Sequence, residues 1–297
     1  MEIRIATAPC SWGVFYADGR TSGVPYPVFL QQAAQAGYTE IELGPDGYLP
    51  ADPAALRAEL DRCRLTVCAG TATIPFGRLS SAECRSSVAG LAQRLVQLEV
   101  RDMVVMDGTA YEPGFEEKAA WSRELWDRIY QGIASVNDFI REEYGLRMVF
   151  HPHAGTAIEY NAEIEKLLDA GEIFLCFDTG HHVYANGGTE PLDQSALDFL
   201  RAHRKRIPYL HFKNMSGPLR KQAAEQHWTV SEAFANGVMC NLKDGVIDFQ
   251  QLRDVLEEID YRGTAVIEQD MFGKTAEFAL RAAEVNLQYL KDIRMIP

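Results

Sequence analysis

Four short stretches of this chain place carboxylates and imidazoles where an apolar run stops. Cys176-Phe177-Asp178-Thr179-Gly180-His181-His182 carries Asp178 and His181 three residues apart. It follows the run from Ile173 to Phe177, whose apolar, β-branched and aromatic residues read as a buried strand. Two further runs end the same way, Met148-Val149-Phe150 in His151-Pro152-His153, and Tyr209-Leu210 in His211-Phe212-Lys213. A fourth, Thr264 to Ile267, ends in Glu268-Gln269-Asp270, and five of the seven histidines lie in these strand ends. His151, Asp178, His211 and Glu268 are therefore candidate ligands for one divalent metal ion. Two imidazoles and two carboxylates, with positions left for water, suit Mn²⁺ or Co²⁺ first, then Zn²⁺, Fe²⁺ or Mg²⁺, and not an all-oxygen Ca²⁺ site. Any one of the four could equally cap a helix or pair with a neighbouring strand end. All four together make that a much weaker explanation.

Other residues near these ends have two readings each. His153 follows His151 by two and shares its face if the strand persists, so it is a ligand, a support for one or a proton-transfer group. His181 has the same three readings, and His182 points away. Lys213, two beyond His211, faces the same pocket, where a nearby cation would depress its pKa and suit it to acid–base work; the alternative is a surface lysine. Glu42, before Gly44-Pro45, is a candidate for substrate hydroxyls or a solvent-facing side chain. Trp12 and Phe15 would wall a sugar-sized pocket, or pack into a core or lid. Asp107, after Val104-Val105-Met106, is a further candidate substrate contact.

Positioning these groups requires parallel strands, and strand and helix patterns alternate along the whole chain. Strands are expected at Ile3–Ala8, Glu40–Leu43, Leu65–Thr73 and Met103–Met106, then from Met148, Ile173, Ile207 and Thr264. The helices between and after them fall near 28–36, from Pro53, 82–98, 116–144, 161–170, 194–205, 249–259 and 276–293. Gly37, Gly145 and Gly171 stand as helix stops. Alternating β and α elements with apolar strands imply a parallel sheet covered by helices, and eight units in this length make a single (β/α)8 TIM barrel over residues 1–297. An open doubly wound sheet fits less well, because Ala8-Pro9-Cys10-Ser11-Trp12-Gly13 stands where a glycine-rich phosphate loop would follow the first strand. In a barrel the chemistry sits at the carboxyl ends of the strands, where these polar residues occur. A long irregular insertion at about 215–245 is expected over that face, bringing His227 or Trp228 near a substrate.

Composition removes several function classes. The chain has 297 residues, 47% of them hydrophobic, enough for a sizeable core. A formal charge of −13 argues against a broad nucleic-acid or anionic-membrane surface. No apolar run approaches a transmembrane length, and the six cysteines form no CxxC pair. A reduced, soluble, cytoplasmic protein with a small-molecule partner is expected. The sequence does not decide between a monomer and a homo-oligomer.

Taken in order, the strand-end motifs resemble the xylose isomerase-like barrels, which include sugar isomerases, ketose 3-epimerases, type-IV-like AP endonucleases and inosose dehydratases. The stretches Ala8–Gly13, Glu42-Leu43-Gly44-Pro45-Asp46-Gly47-Tyr48-Leu49-Pro50, His151-Pro152-His153-Ala154-Gly155-Thr156, Asp178-Thr179-Gly180-His181, His211-Phe212-Lys213, Asp244-Gly245-Val246-Ile247-Asp248-Phe249 and Glu268-Gln269-Asp270 are most similar to the inosose dehydratase branch. The resemblance implies a metal held by Glu, Asp, His and Glu from strands five to eight, which fall here on His151, Asp178, His211 and Glu268. The first departs from the usual glutamate and leaves the strand-five ligand open between His151 and His153. Lys213-Asn214-Met215 also departs from the branch's Lys-Asp-Val, and Leu242-Lys243-Asp244-Gly245 from its Pro-Gly-Asp-Gly, so an acid is missing beside Lys213.

The implied activity is a metal-dependent dehydratase, a carbon–oxygen lyase of inositol or carbohydrate catabolism. It would act on an inosose or related keto-cyclitol or sugar, with Lys213 and His153 or His181 moving protons. A ketose isomerase or epimerase on the same metal is the enzyme alternative, weakened by His151 where epimerases carry a glutamate. A sugar-binding barrel without turnover is the non-enzyme alternative. The endonuclease reading lacks the early histidines of a multi-metal cluster, since no histidine precedes 151.

Overall fold

The computed structural model describes residues 1–16, 23–110 and 115–297, without the side chains of 115 and 116. The elements in the first half are β1 (Glu2–Thr7), α1 (Tyr26–Ala36), β2 (Glu40–Glu42), α2 (Pro53–Cys63), β3 (Thr66–Ile74), α3 (Ser81–Gln97), β4 (Asp102–Asp107), α4 (Phe115–Ala119), α5 (Arg123–Tyr144) and β5 (Arg147–Phe150). The second half adds α6 (Asn161–Asp169), β6 (Phe174–Asp178), α7 (Thr179–Asn186), α8 (Ser195–His203), β7 (Tyr209–Phe212), β8 (Asn214–Met215), α9 (Gly217–Glu225), α10 (Val230–Ala235), β9 (Met239–Cys240), α11 (Phe249–Glu258), β10 (Arg262–Ile267) and α12 (Ala276–Asp292).

Eight strands close in the order β1-β10-β7-β6-β5-β4-β3-β2, all neighbours parallel. This is the (β/α)8 barrel that the alternation implies. Small and medium side chains fill its interior, among them Ala6, Cys68, Val104, Val149, Cys176 and Val266, with Tyr209 as the large exception. The main apolar layer lies outside, between strands and helices. α5 shows why its residues form that layer. Ile129, Ile133, Val136 and Ile140 recur at helical spacing and are fully buried, and each such side chain contributes about 1.5–3 kcal/mol by leaving water. Gly145 then ends the helix at φ 67°, a left-handed conformation that glycine adopts without strain.

Three expectations change. The long helix expected over 116–144 is two helices, because the Ser122 hydroxyl accepts the Leu125 N–H and starts α5 afresh. A helix not anticipated, α7, begins inside the Asp178-to-His182 motif, with the Asp178 carboxylate accepting the His181 N–H at 2.9 Å. Its buried residues, Thr179 to Tyr184, run continuously and give no amphipathic period to read. The segment 215–245 is not irregular either. β8 and β9 pair antiparallel across it, with α9 and α10 between them. Asn214 fastens the base: its amide donates to the Leu242 and Ile247 carbonyls at 2.7 and 2.8 Å, and its oxygen accepts the Ile247 N–H at 3.0 Å. An aspartate could not make those two donations. Among the described residues, no helix is long and apolar enough to cross a membrane, and all six cysteines are unpaired.

Candidate active site

β5, β6, β7 and β10 bring their last residues to one end of the barrel. Asp178 lies in register with His211 across the β6–β7 pair. Glu268 is bound to the end of β7 through its N–H and the Phe212 carbonyl at 3.1 Å. His151 donates its N–H to the Val105 carbonyl at 2.8 Å. All four side chains are buried.

Lys213 sits at the centre of this group and is 2% exposed. Its Nζ lies 2.9 Å from Glu268, 3.2 Å from Asp178 and 3.2 Å from Asp270, and it reaches His181 Nε2 at 3.0 Å. An ammonium has no acceptor, so His181 Nε2 accepts and its Nδ1 carries the ring proton. Burial works against the lysine charge, but Asp178, Asp270 and Glu268 outweigh it and hold the pKa well above the usual lysine range. The expected depression is thus reversed. Burial likewise opposes ionisation of Asp178 and Glu268, yet Lys213 and His211 hold Asp178 near 2 and Glu268 well below the carboxylate range. Gly180 permits this approach, since a Cβ there would collide with the Lys213 Cβ.

Three of the buried ligand-type atoms, His151 Nδ1, Asp178 Oδ2 and His211 Nδ1, make no hydrogen bond. His211 Nδ1 stands 3.1 Å from Glu268 Oε2 and 3.6 Å from Asp178 Oδ2. Burial opposes a charge on His211, but Cys176, Glu268 and Glu42 outweigh it and hold its pKa well above the imidazole range, and a divalent cation taking this nitrogen would displace the ring proton. The donor set therefore fits a metal ion. Among the described residues, ligand atoms come within 4.8 Å of one another in three overlapping groups: His151, His153 and His181; His151, Cys176 and His211; and Glu42, His211 and Glu268. Asp178 stands outside these groups, its Oδ2 turned towards Lys213 and His211.

A cleft of about 950 Å³ opens beside this centre, with His153, Asp270, Phe15, Phe272, Val230 and Phe234 among its lining residues. The Phe15 and Phe272 rings stack with centroids 4.3 Å apart. From α10, Phe234 stands 5.4 Å from the His181 ring and Val230 lies against Gly155. His153 Nδ1 pairs with the Ala154 carbonyl at 2.8 Å. A carbonyl only accepts, so Nδ1 carries the proton and Nε2 keeps its lone pair. Burial first, then Lys213, lowers the His153 pKa to about 4. The ring is neutral near pH 7.

Four candidates lie elsewhere. Trp12 is buried in the outer layer, edge-on to Phe29, with its Nε1–H on Gln32 at 2.7 Å, and it does not reach the cleft. Asp107 is fully buried below its own turn and accepts the Thr109 hydroxyl and N–H at 2.6 and 3.1 Å. His227 is exposed at the end of α9, with φ 53°. Glu42 faces the barrel interior instead of a substrate, accepting the Tyr209 hydroxyl at 2.9 Å and pairing with His211 Nε2 at 3.0 Å. His182 packs against Phe177 and Phe199, away from the site.

Asp270 is the site residue that sequence reasoning missed. It lies two beyond Glu268, the same alternation that picked out His153 beside His151. Burial foremost, with Glu268 adding to it against the pull of Lys213, lifts its pKa to about 6. It also supplies the acid beside Lys213 that the Lys213-Asn214 pair lacks.

Residues 30–293 match the profile of the xylose isomerase-like TIM barrel family. The inosose dehydratase of Lacticaseibacillus casei is 26% identical over 310 residues, covering 100% of this chain and 99% of that protein. Among solved structures, L-ribulose 3-epimerase superposes with a TM-score of 0.69 at 17% identity, over 99% of this chain and 96% of that one. The IOLI protein with a bound zinc atom superposes with a TM-score of 0.68 at 15% identity, over 98% and 97%.

Proposed function

This chain belongs to the xylose isomerase-like TIM barrel family, and from that membership we propose a cytoplasmic, metal-dependent dehydratase acting on an inosose or a related keto-cyclitol or sugar. One observation carries the reading. A buried ammonium, Lys213, is held among three carboxylates beside a neutral imidazole, His153, that lines the cleft with a free nitrogen. That is one proton donor and one proton acceptor, the two roles that an elimination of water uses. End-to-end similarity to an inosose dehydratase supports the same class.

A divalent ion held by His151, Asp178, His211 and Glu268 would supply Lewis acidity towards a ketone and its neighbouring hydroxyl. His151 is the better strand-five ligand, because its Nδ1 is buried without a partner while His153 faces the cleft. His153 Nε2 removes the proton α to the ketone, and that electron pair forms the new carbon–carbon double bond. The β-hydroxyl leaves as water with a proton from Lys213 Nζ. The enol left behind tautomerises to a diketone with one oxygen fewer. His181 Nε2 accepts from Lys213 and keeps Nζ aimed, and Asp270 takes part in holding its charge. Phe15, Phe272 and Phe234 wall the cleft against water.

Incubating purified, metal-analysed protein with a panel of inososes and ketoses tests this. The expected product lacks one water by mass spectrometry. A product of unchanged mass and inverted stereochemistry would make the protein an epimerase instead, with Asp270 the natural second base.

A further inference from the structure

Beneath the proposed metal ligands runs a polar chain across the barrel interior that the elimination does not use. Cys68 Sγ lies 3.3 Å from the Tyr209 hydroxyl, which donates to Glu42 Oε1 at 2.9 Å. The same oxygen lies 3.0 Å from His211 Nε2, while Oε2 accepts the Thr71 hydroxyl at 3.2 Å. Glu42 is 2% exposed and Tyr209 is fully buried. We propose that Glu42 is the positioning residue that fixes which nitrogen of His211 is offered to a metal: Nε2 is held by Glu42, and Nδ1 is the ligand.

The argument starts from donor and acceptor counting. A carboxylate receiving two hydroxyl donors acts as an acceptor, so the third group against it, His211 Nε2, must bring a hydrogen. Nδ1 is then the nitrogen left to face the strand-end carboxylates. It faces Glu268 Oε2 at 3.1 Å and Asp178 Oδ2 at 3.6 Å, the same two oxygens that hold Lys213 Nζ at 2.9 and 3.2 Å. Lys213 and a proton on the ring balance these oxygens when no metal is bound, and a metal ligated by Nδ1 would replace that ring proton.

Local backbone explains how Glu42 comes to face inward. The β2–β3 register slips between Ile41 and Glu42, and such slips near active sites re-aim side chains. Tyr209 precedes His211 by two on β7, so both project to the barrel interior. Its hydroxyl therefore meets the carboxylate that meets the imidazole. A carboxylate behind a metal-binding histidine fixes ring orientation and tautomer. The position that the sequence offered as a substrate contact thus acts through another side chain.

The inference rests on the metal-centre reading, and the test separates the two. Protein with isotope-labelled histidine is loaded with cadmium and followed by nitrogen NMR. Metal coupling on His211 Nδ1, with a proton on Nε2, is the expected result. Coupling on Nε2 would overturn the inference and make Glu42 a neighbour of the ion or a ligand itself. In parallel, Glu42→Gln is titrated with Co²⁺, where a fall in affinity of about 10–100-fold and a changed cobalt absorption spectrum are expected. Unchanged affinity and spectrum in folded Glu42→Gln would also overturn it. Should that variant not fold, the cadmium experiment on the unaltered protein still decides. Failure of cadmium and cobalt to bind the unaltered protein would instead remove the metal centre, and this inference with it.

Discussion

Asp107 and Asp178 are the same residue type at the same place, the last residue of a barrel strand, and both are buried. Their surroundings differ in one respect. Both oxygens of Asp107 are taken by Thr109, two residues on, so the side chain closes a local turn. Only one oxygen of Asp178 is used locally, by the His181 N–H that starts α7. The other is not used by its own turn: it is ion-paired to Lys213 at 3.2 Å and faces His211 at 3.6 Å, both from β7 and its end. A strand-end carboxylate becomes available for chemistry when its neighbours leave an oxygen over. Position alone does not decide it.

The largest expected effect follows from that leftover oxygen. Asp178→Asn keeps the shape and the cap but removes the charge, so metal content after purification should fall to background while the circular dichroism spectrum stays native. Full metal occupancy in that variant would erase the distinction between the two aspartates. Next in size is Lys213→Met, which removes the proton donor. It should lose on the order of 10² to 10⁴ in kcat while metal content per chain is retained. A fully active variant would leave Lys213 a structural cation among its three carboxylates and the elimination without its acid.

The same contrast explains what could be read in advance. The alternation of apolar strands and amphipathic helices is a property of many residues, so the barrel and the convergence of His151, Asp178, His211 and Glu268 on one end were legible. Whether a polar atom is already satisfied depends on a few neighbours whose geometry no spacing records. Thr109 took Asp107, Gln32 took the indole of Trp12, and His211 with Tyr209 took Glu42. Lys213 reversed for a related reason. The expectation considered only a cation nearby, and three carboxylates surround it. α7 stayed hidden because its first turn is the motif itself, and its buried face is continuous.

A smaller effect, on stability rather than activity, is expected at the satisfied aspartate. In Asp107→Asn the amide would turn N–H groups towards a site where Thr109 already donates twice, at a cost of about 1–3 kcal/mol. Urea unfolding should show that loss, and metal content and kcat per folded molecule should not change. A drop in metal content would mean that the β4 turn reaches the centre, and the two aspartates would then belong to one network.

The smallest effect should come from the insertion, where the contrast between satisfied and available groups takes another form. Phe234 and His227 both lie between β8 and β9, but Phe234 is 5% exposed, lines the cleft and faces the His181 ring, whereas His227 is a surface residue ending α9. Phe234→Leu keeps an apolar side chain but gives up ring contacts, so KM should rise with little change in metal content. His227→Ala removes a side chain outside the cleft, and its stability should stay within about 0.5 kcal/mol of the original, with kcat and KM unchanged. The pair is informative because the two residues share one insertion. Any large rearrangement of β8, α9, α10 and β9 on substrate binding would carry both. If His227→Ala alone raised KM, α9 would have to turn its end towards the cleft when substrate is present, and the surface position of His227 would then describe only the open form.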